Sequence, residues 1–264
     1  MTPEGVIHRL DSQKVWESLE EWMDLHSKKV GVFQIGAILL DPGHGGRDPG
    51  AVGTHNWGQG NVTLNEKDIT LQLSLQLQSL LKAKFSQKLI LMTRESDEYP
   101  TLEERVALAN SLNLPHGQAV LFLSLHFNAS LNPKAEGFEV WHLPTDYDRD
   151  VLSGRWFGDE NAARPIINQI LNAEYKEESK RLAQILVQTL SQGLGEGVEN
   201  RGVKEKPWFV VRGANMPAVL IEGGFVTNQE EAQRLLLPEY LQKMAQSIYN
   251  GLKEFIEIYE SNNP

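Results

Sequence analysis

Residues 35–46 read IGAILLDPGHGG, an apolar run that ends abruptly in a glycine-rich loop. Residues 35–40 carry no polar side chain and have the length of a buried strand, and the Asp-Pro-Gly that follows is typical of a turn. Continuous apolar strands are typical of parallel sheets that helices cover on both faces. The segment therefore predicts an α/β protein, with His44 just beyond the carboxyl end of a buried strand.

The rest of the chain alternates strand-like and helix-like segments. Residues 65–85 fit both patterns, because leucines alternate with polar residues as in a strand, but the long run without Gly or Pro favours a helix. Further strands are predicted over 88–93, 119–125, 137–142, 209–212 and 217–221, and helices over 102–112, 165–175, 179–192, 228–236 and 239–258. The alternation predicts one domain with a largely parallel sheet flanked by helices.

The composition of the 264 residues excludes several classes of protein. Apolar residues at 41% and charged residues at 23% are ordinary for a globular chain and exclude a disordered one. A net charge of −10 argues against binding to nucleic acid or to anionic lipid. The absence of cysteine excludes disulfides, thiolate metal sites and cysteine nucleophiles. No apolar stretch reaches the roughly 18 residues that cross a bilayer, so we expect no membrane span.

We expect an N-terminal extension over 1–34 and a domain over 35–264. The extension contains a short amphipathic helix at 11–26, for which packing on the domain is favoured over partner binding. Its apolar stripe comprises Val15, Trp16, Leu19, Trp22 and Met23. No signal-peptide pattern opens the chain, so the protein either stays inside the cell or follows a signal that was removed.

Three predicted strands lead into a residue that can bind a metal ion or transfer a proton. These residues are His44, His126 and Glu222, and they share one edge of the sheet if the strands are parallel. Glu66 lies at the start of the helix over 65–85. It can join the other three only if residues 47–64 fold back toward that edge.

Two neutral imidazoles and one carboxylate are a known ligand set of catalytic zinc, with the fourth position left for water. A further carboxylate beside that water can act as general base, a role that Glu222 fits. Each residue also has a simpler interpretation, His44 as a loop residue and Glu66 as an acid in the first turn of a helix. Since the spacing is too wide for a local metal motif, the pattern alone leaves the zinc site a hypothesis.

Four segments occur in an order that is specific to one family. They read DPGHGG at 41–46, NEK at 65–67, SLHFNA at 124–129 and MPAVLIEGGFVTN at 216–228. Together they resemble the zinc-dependent N-acetylmuramoyl-L-alanine amidases of the bacterial division-amidase type. The resemblance extends over residues 35–258.

The resemblance implies a mostly parallel, twisted sheet of about six strands with helices on both faces. It implies hydrolysis of the amide bond between N-acetylmuramic acid and L-alanine in peptidoglycan, in the periplasm or outside the cell. It further implies that His44, Glu66 and His126 bind Zn²⁺ and that Glu222 is the catalytic acid and base. By the same resemblance, the protein would act in wall remodelling or daughter-cell separation.

Some division amidases carry an inserted helix that covers the zinc until a partner protein removes it. Residues 143–178 form a long segment at this place in the chain, so an activator protein acting on 143–178 is expected if the segment is regulatory. Plain packing of its apolar residues is the favoured alternative. Glu174 would be the residue that caps the zinc, and Asn128, two residues past His126, would orient substrate.

Other functions stay open at this point. The chain could be a catalytically silent protein that binds peptidoglycan, although all four site residues are present. It could also be a zinc carboxypeptidase that acts on wall peptides. Arg201, Lys204 and Lys206 are interpreted as solvated surface, with contacts to substrate carboxylates as the alternative.

Overall fold

The computed structural model describes residues 14–20, 34–115, 117–152 and 163–262. The strands are β1 (Gln34–Pro42), β2 (Val52–Asn56), β3 (Asn61–Asn65), β4 (Leu89–Met92), β5 (Gln118–Asn128), β6 (Phe138–His142), β7 (Asn200–Glu205) and β8 (Ala218–Phe225). The helices are α1 (14–20), α2 (Glu66–Lys84), α3 (Leu102–Ser111), α4 (Arg164–Leu194), α5 (Phe209–Gly213), α6 (Gln229–Leu235) and α7 (Pro238–Asn262).

Six of the strands form one sheet in the order β4-β1-β5-β8-β6-β7, and β2 and β3 form a separate two-stranded hairpin. Neighbouring strands of the sheet are parallel except for β6 and β8, which are antiparallel. The predicted α/β fold with a mostly parallel, six-stranded sheet is therefore confirmed.

The alternation of side chains along β1 explains why both faces of the sheet are covered. Ile38 and Leu40 pack with α2, α4 and α7 in the larger core cluster. Ala37 and Leu39 point to the opposite face, where they pack with residues of α3 and α5. Because both faces are buried, the strand needs an apolar residue at every position, which is the pattern that its sequence shows.

Residues 66–84 are helical, as predicted. Ile69, Leu73, Leu77 and Leu81 are buried at intervals of four, whereas Leu75 is 39% exposed. The leucines that produce the strand-like alternation thus occupy both faces of a helix, and only those with helical spacing enter the core.

The strand predicted over 209–212 is wrong, since this segment is the short helix α5. The guanidinium of Arg149 donates hydrogen bonds to the carbonyl oxygens of Val211, Arg212 and Ala214, which the end of a helix leaves unpaired. Burial lowers the pKa of Arg149 to about 10. Arg149, remote in the chain, therefore stabilises the end of this helix. The sixth strand of the sheet is β7 and not the predicted strand over 209–212.

The two helices predicted over 165–175 and 179–192 are one continuous helix, α4, and that prediction is wrong. The polar stretch between them continues the helix because its buried members have partners. Lys176 donates to the carbonyl oxygens of Thr145 and Tyr147, and the hydroxyl of Ser179 accepts from the backbone amide of Ala218. A buried polar group with a partner does not interrupt a helix.

Residues 14–20 of the N-terminal extension are helical. Val15 is buried and Leu19 packs against Leu152, Ala163 and Ile167, whereas Trp16 is 65% exposed. The predicted stripe is therefore correct for Val15 and Leu19 and wrong for Trp16. The other two members of the stripe, at 22 and 23, lie outside the described residues.

Within the described residues, no helix combines the length and the apolar composition that crossing a bilayer requires.

Candidate metal centre

The carboxyl ends of β1, β5 and β8 bring three of the predicted site residues to one edge of the sheet. His44 follows β1, and His126 of β5 lies directly opposite Glu222 of β8 in the parallel register. Both β5 and β8 extend beyond their predicted ends, so His126 and Glu222 lie within strands. Their backbone is therefore held by the ladder of the sheet.

Glu66 reaches the same edge because residues 47–64 fold back. The fold-back contains the hairpin of β2 and β3, which the sequence analysis does not predict. The backbone amides of Glu66 and Lys67 donate to the carbonyl oxygens of Ala51 and Pro49 at the start of the hairpin. These bonds fix the first turn of α2 beside the end of β1.

The side chains of His44, Glu66 and His126 meet in one cluster. Glu66 Oε2 lies 3.0 Å from His44 Nε2, and Glu66 Oε1 lies 2.9 Å from His126 Nδ1. One potential ligand atom from each residue lies within 4.8 Å of the others. Burial raises the pKa of Glu66, but hydrogen bonds from His126 and His44 outweigh it, so that the pKa falls well below its usual range.

Asp48 is a member of this site that the sequence analysis misses. Its Oδ2 lies 2.8 Å from Nδ1 of His44, four residues earlier in the same loop. When Nδ1 of His44 keeps its proton and donates it to Asp48, Nε2, on the side of the ring that faces Glu66, is the nitrogen available to a metal. The spacing of a carboxylate four residues after His44 is the signal that could have found it.

Two glycines allow the cluster to close. A Cβ atom on Gly43 would lie 2.4 Å from the ring of His126, and one on Gly50 would lie 2.6 Å from Glu66 Oε2 and from His44. Side chains at 43 and 50 would therefore occupy the space of the three metal-binding candidates.

Glu222 lies beside this cluster in a buried position, with 8% of its surface exposed. Its Oε2 atom is buried and has no hydrogen-bond partner within the described part of the chain. Burial raises the pKa of Glu222, and the nearby charges of Glu66 and Glu139 raise it further. A carboxylate in this condition holds a proton more readily than an exposed one, which suits a group that must take up and release a proton.

Glu139 of β6 lies opposite Glu222 in the antiparallel pair of β6 and β8. It binds Arg201 at 2.8 Å, Lys204, and the side-chain amide of Asn128 at 3.0 Å. Arg201 and Lys204 are therefore not the free surface cations that the sequence predicts. One N–H of the Asn128 amide is donated to Glu139, which leaves the second N–H and the carbonyl oxygen for a substrate.

Glu174 lies elsewhere. It is exposed on α4, and its charge acts on Tyr259 near the end of α7. That end of α7 lies at the beginning of β1, where Glu260 binds the amide of Ile35, opposite the edge that carries His44. The structure therefore contradicts the prediction that Glu174 caps the metal.

The described part of the segment 143–178 also packs away from the cluster. Arg149 donates to the carbonyl oxygen of Ala214 at the end of α5, and Lys176 donates to that of Thr145 within the segment. None of the described residues of the segment lines the cleft that contains the site. Residues 153–162 lie outside the described residues. The less favoured alternative, that the segment covers the site, therefore finds no support in the part that is described.

A buried ion pair holds the loop that carries His44. Arg105 of α3 binds Asp41 at 2.7 Å and donates to the carbonyl oxygens of Pro42 and His44, each at 2.6 Å. Both side chains of the pair are almost fully buried. His44 has a φ of 59°, an unusual value for a residue other than glycine, so these bonds hold it in a conformation that it would not adopt freely.

We expect replacement of Arg105 by leucine to lower the free energy of unfolding by about 3–5 kcal/mol, because Asp41 would be left as a buried, unpaired charge. Burial raises the pKa of Asp41, but Arg105 and the bonds from Thr93 and Ser124 lower it below its usual value. The stabilisation is therefore present above the pKa of the unfolded chain and is lost as the pH falls through the lower folded value. Urea unfolding at pH 7 and at acid pH measures both effects.

Arg181→Leu is the matched control, since Arg181 is 38% exposed and pairs with Glu178 at 3.4 Å on the surface of α4. Its loss should cost less than about 1 kcal/mol. Equal destabilisation by the two replacements would contradict the role given to Arg105.

The cluster lies in an open cleft of about 440 Å³. Its wall includes Tyr99 and Leu102 on one segment and Trp208 and Phe209 on another, so an apolar surface surrounds the charged site. Two imidazoles and a carboxylate that converge in such a cleft are groups that can hold a divalent metal, and a second carboxylate beside them is of a type that can transfer protons.

Comparison with known proteins gives consistent findings. A sequence profile of the N-acetylmuramoyl-L-alanine amidase family matches residues 38–254. N-acetylmuramoyl-L-alanine amidase LytC of Bacillus subtilis is 33% identical over 214 residues, which cover 81% of this chain and 34% of LytC. This chain therefore spans about a third of the length of that relative.

Solved structures of similar chains match over nearly their full length. The N-acetylmuramoyl-L-alanine amidase from Clostridium difficile 630 has a TM-score of 0.64 and 28% identity, covering 85% of this chain and 98% of that one. The CwlD amidase from Clostridioides difficile, in complex with the GerS lipoprotein, has a TM-score of 0.62 and 26% identity, covering 84% and 99%.

Proposed function

Since this chain belongs to the N-acetylmuramoyl-L-alanine amidase family, we propose that it hydrolyses the amide bond between N-acetylmuramic acid and L-alanine in peptidoglycan. Peptidoglycan lies outside the cytoplasmic membrane, so the protein would act in the periplasm or outside the cell. Wall remodelling or the separation of daughter cells is the process that this reaction serves.

We propose zinc as the metal and His44, Glu66 and His126 as its ligands. The observation that carries the proposal is their convergence from three distant parts of the chain within 4.8 Å, next to Glu222. Two nitrogen ligands and one oxygen ligand suit zinc, and the fourth position stays open for water. The buried, unpaired Oε2 of Glu222 also fits, since a water molecule in the cleft could supply its missing partner.

A zinc ion bound there would act as a Lewis acid on the carbonyl group and lower the pKa of water to about 7. Glu222 accepts a proton from the attacking water and then donates it to the nitrogen of the leaving L-alanine. The raised pKa of Glu222 favours this second step, because burial and the nearby carboxylates make Glu222 hold the proton taken from water more readily until the nitrogen leaves. Asp48 holds the ring of His44 throughout.

Within the chain, we propose that 35–264 is the catalytic domain and 1–34 an extension. The extension and the segment 143–178 meet where Leu19 packs on Leu152, Ala163 and Ile167. The structure of CwlD in complex with the GerS lipoprotein supports the proposal that a protein partner binds this enzyme, and we propose the segment 143–178 as the part on which such a partner acts.

Product analysis tests the reaction. The purified protein with zinc, incubated with purified peptidoglycan, should release stem peptides whose free amino group belongs to L-alanine and leave glycan strands without peptides. Release of D-alanine would identify a carboxypeptidase, and binding without any product would identify a silent wall-binding protein. Either result would overturn the proposal.

Replacement of Asp48 by asparagine is expected to lower the affinity for zinc by about 10- to 100-fold, because the amide no longer fixes the ring of His44. Competition with a chromogenic chelator measures the affinity. Asp68→Asn is the control. Asp68 lies two residues after Glu66 but is exposed, and it accepts a hydrogen bond from the side chain of Asn65 and not from a proposed zinc ligand. An affinity for zinc equal in the two variants would remove the role given to Asp48.

A further inference from the structure

Three aromatic side chains that line the cleft each carry a cation over the ring. The pairs are Arg47 with Tyr99 at 4.6 Å, Lys206 with Trp208 at 3.8 Å and Arg212 with Phe209 at 5.1 Å, measured from the cationic atom to the ring centroid. We call Arg47, Lys206 and Arg212 the cleft cations. All three are exposed to solvent.

The cleft cations differ from the other cation–aromatic pairs of the described chain. Lys88 binds Glu260, and Arg201 and Lys204 bind Glu139, while the rings beneath these three cations do not line the cleft. Across the described ranges, none of the cleft cations has a carboxylate within 4 Å. Among the described residues, three positive charges without a carboxylate partner thus lie over aromatic rings of the cleft, in a chain whose net charge is −10.

We propose that the cleft cations bind free carboxylates of the stem peptide and make the enzyme selective for an acidic peptide. This inference rests on the proposed function. Among the residues that line the cleft, the one Lys or Arg side chain is Arg105, and it is paired with Asp41. The cleft cations therefore supply positive charge that is available to a peptide carboxylate, and their position over aromatic rings restricts their motion before the peptide binds.

The location favours a peptide over another anionic polymer of the wall. The rings of Tyr99, Trp208 and Phe209 line the same cleft as the cluster of His44 and His126. The cleft cations lie over these rings, so a stem peptide whose amide bond is at the cluster can extend toward them. A wall polyphosphate is not linked through the amide bond that is cleaved.

The test compares two soluble substrates, N-acetylmuramoyl-tetrapeptide with free peptide carboxylates and the same compound with those carboxylates amidated. Amidation should raise the KM of the wild-type enzyme about fivefold or more, with kcat changed less than twofold, because each exposed ion pair contributes modestly. The triple variant R47Q/K206Q/R212Q should show the higher KM on the free acid and little response to amidation. Each single replacement is measured as well, in case the triple variant does not fold.

Lys82→Gln is the matched control, because Lys82 is exposed at the far end of α2 from Glu66 and should leave both KM values unchanged. Equal KM values of the wild type for the two substrates would overturn the inference while the amidase activity stands. No cleavage of either substrate would overturn the proposed function itself. Inhibition by poly(glycerol phosphate) that the triple variant abolishes, with no effect of amidation, would assign the cleft cations to a different polyanion and also overturn the inference.

Discussion

Replacement of Glu222 by glutamine is expected to lower kcat/KM on a soluble muropeptide by at least about a thousandfold and to leave the zinc content unchanged. The amide of glutamine has nearly the volume of the carboxyl but cannot accept a proton from water or donate one to the leaving nitrogen. Both steps of the proposed mechanism would lose their proton carrier. Turnover measured together with metal analysis of the same preparation separates the loss of chemistry from the loss of metal.

The control for this prediction is Glu254→Gln on the exposed face of α7, which should retain wild-type activity. Because Glu222 is buried with one oxygen unpaired, the glutamine variant should fold at least as well as the wild type, and thermal unfolding can check this. Turnover within tenfold of the wild type would show that another group transfers the proton.

Replacement of His126 by alanine is expected to abolish both zinc binding and activity. The replacement removes one of three ligands and also the imidazole that binds Glu66 at 2.9 Å. Two remaining ligands do not make a site of the usual zinc type. Zinc content after dialysis should fall from one equivalent toward zero, and kcat/KM should fall by at least about a thousandfold, since the metal-activated water is lost.

His55→Ala is the matched control, since His55 lies in the β2–β3 hairpin, bonds to the carbonyl oxygen of Val226 and is outside the cluster. It should retain one equivalent of zinc. The pair of variants at His126 and Glu222 then gives opposite results for metal and the same result for activity. A full equivalent of zinc in the His126 variant would show that the metal binds elsewhere.

The sequence predicted the fold well where a residue's environment follows from its neighbours in the chain. The strand at 35–40 and the core helix over 65–85 show their burial directly, because strands covered on both faces and amphipathic helices have characteristic periods. The prediction failed for α5, which is short and depends on Arg149 about sixty residues away. Local preference cannot reveal such a remote partner.

The same distinction between local and remote determinants applies to the residues of the candidate site. The sequence by itself determined which side chains follow the strands, so His44, His126 and Glu222 could be placed at one edge from the direction of parallel strands. The return of residues 47–64 that brings in Glu66, and the contact of Asp48 with His44, depend on hydrogen bonds formed only after the chain has folded.

Only the tertiary structure decided which charges are paired. Arg201 and Lys204 look like Lys206 in the sequence, yet the first two bind the buried Glu139, whereas the third lies above Trp208 with no carboxylate partner among the described residues. The physical reason is that the interaction of two charges depends on their separation in space and on their burial, neither of which a one-dimensional pattern contains. The sequence thus determined the strands, helices and chemical groups, and the folded chain determined the electrostatic environment in which those groups act.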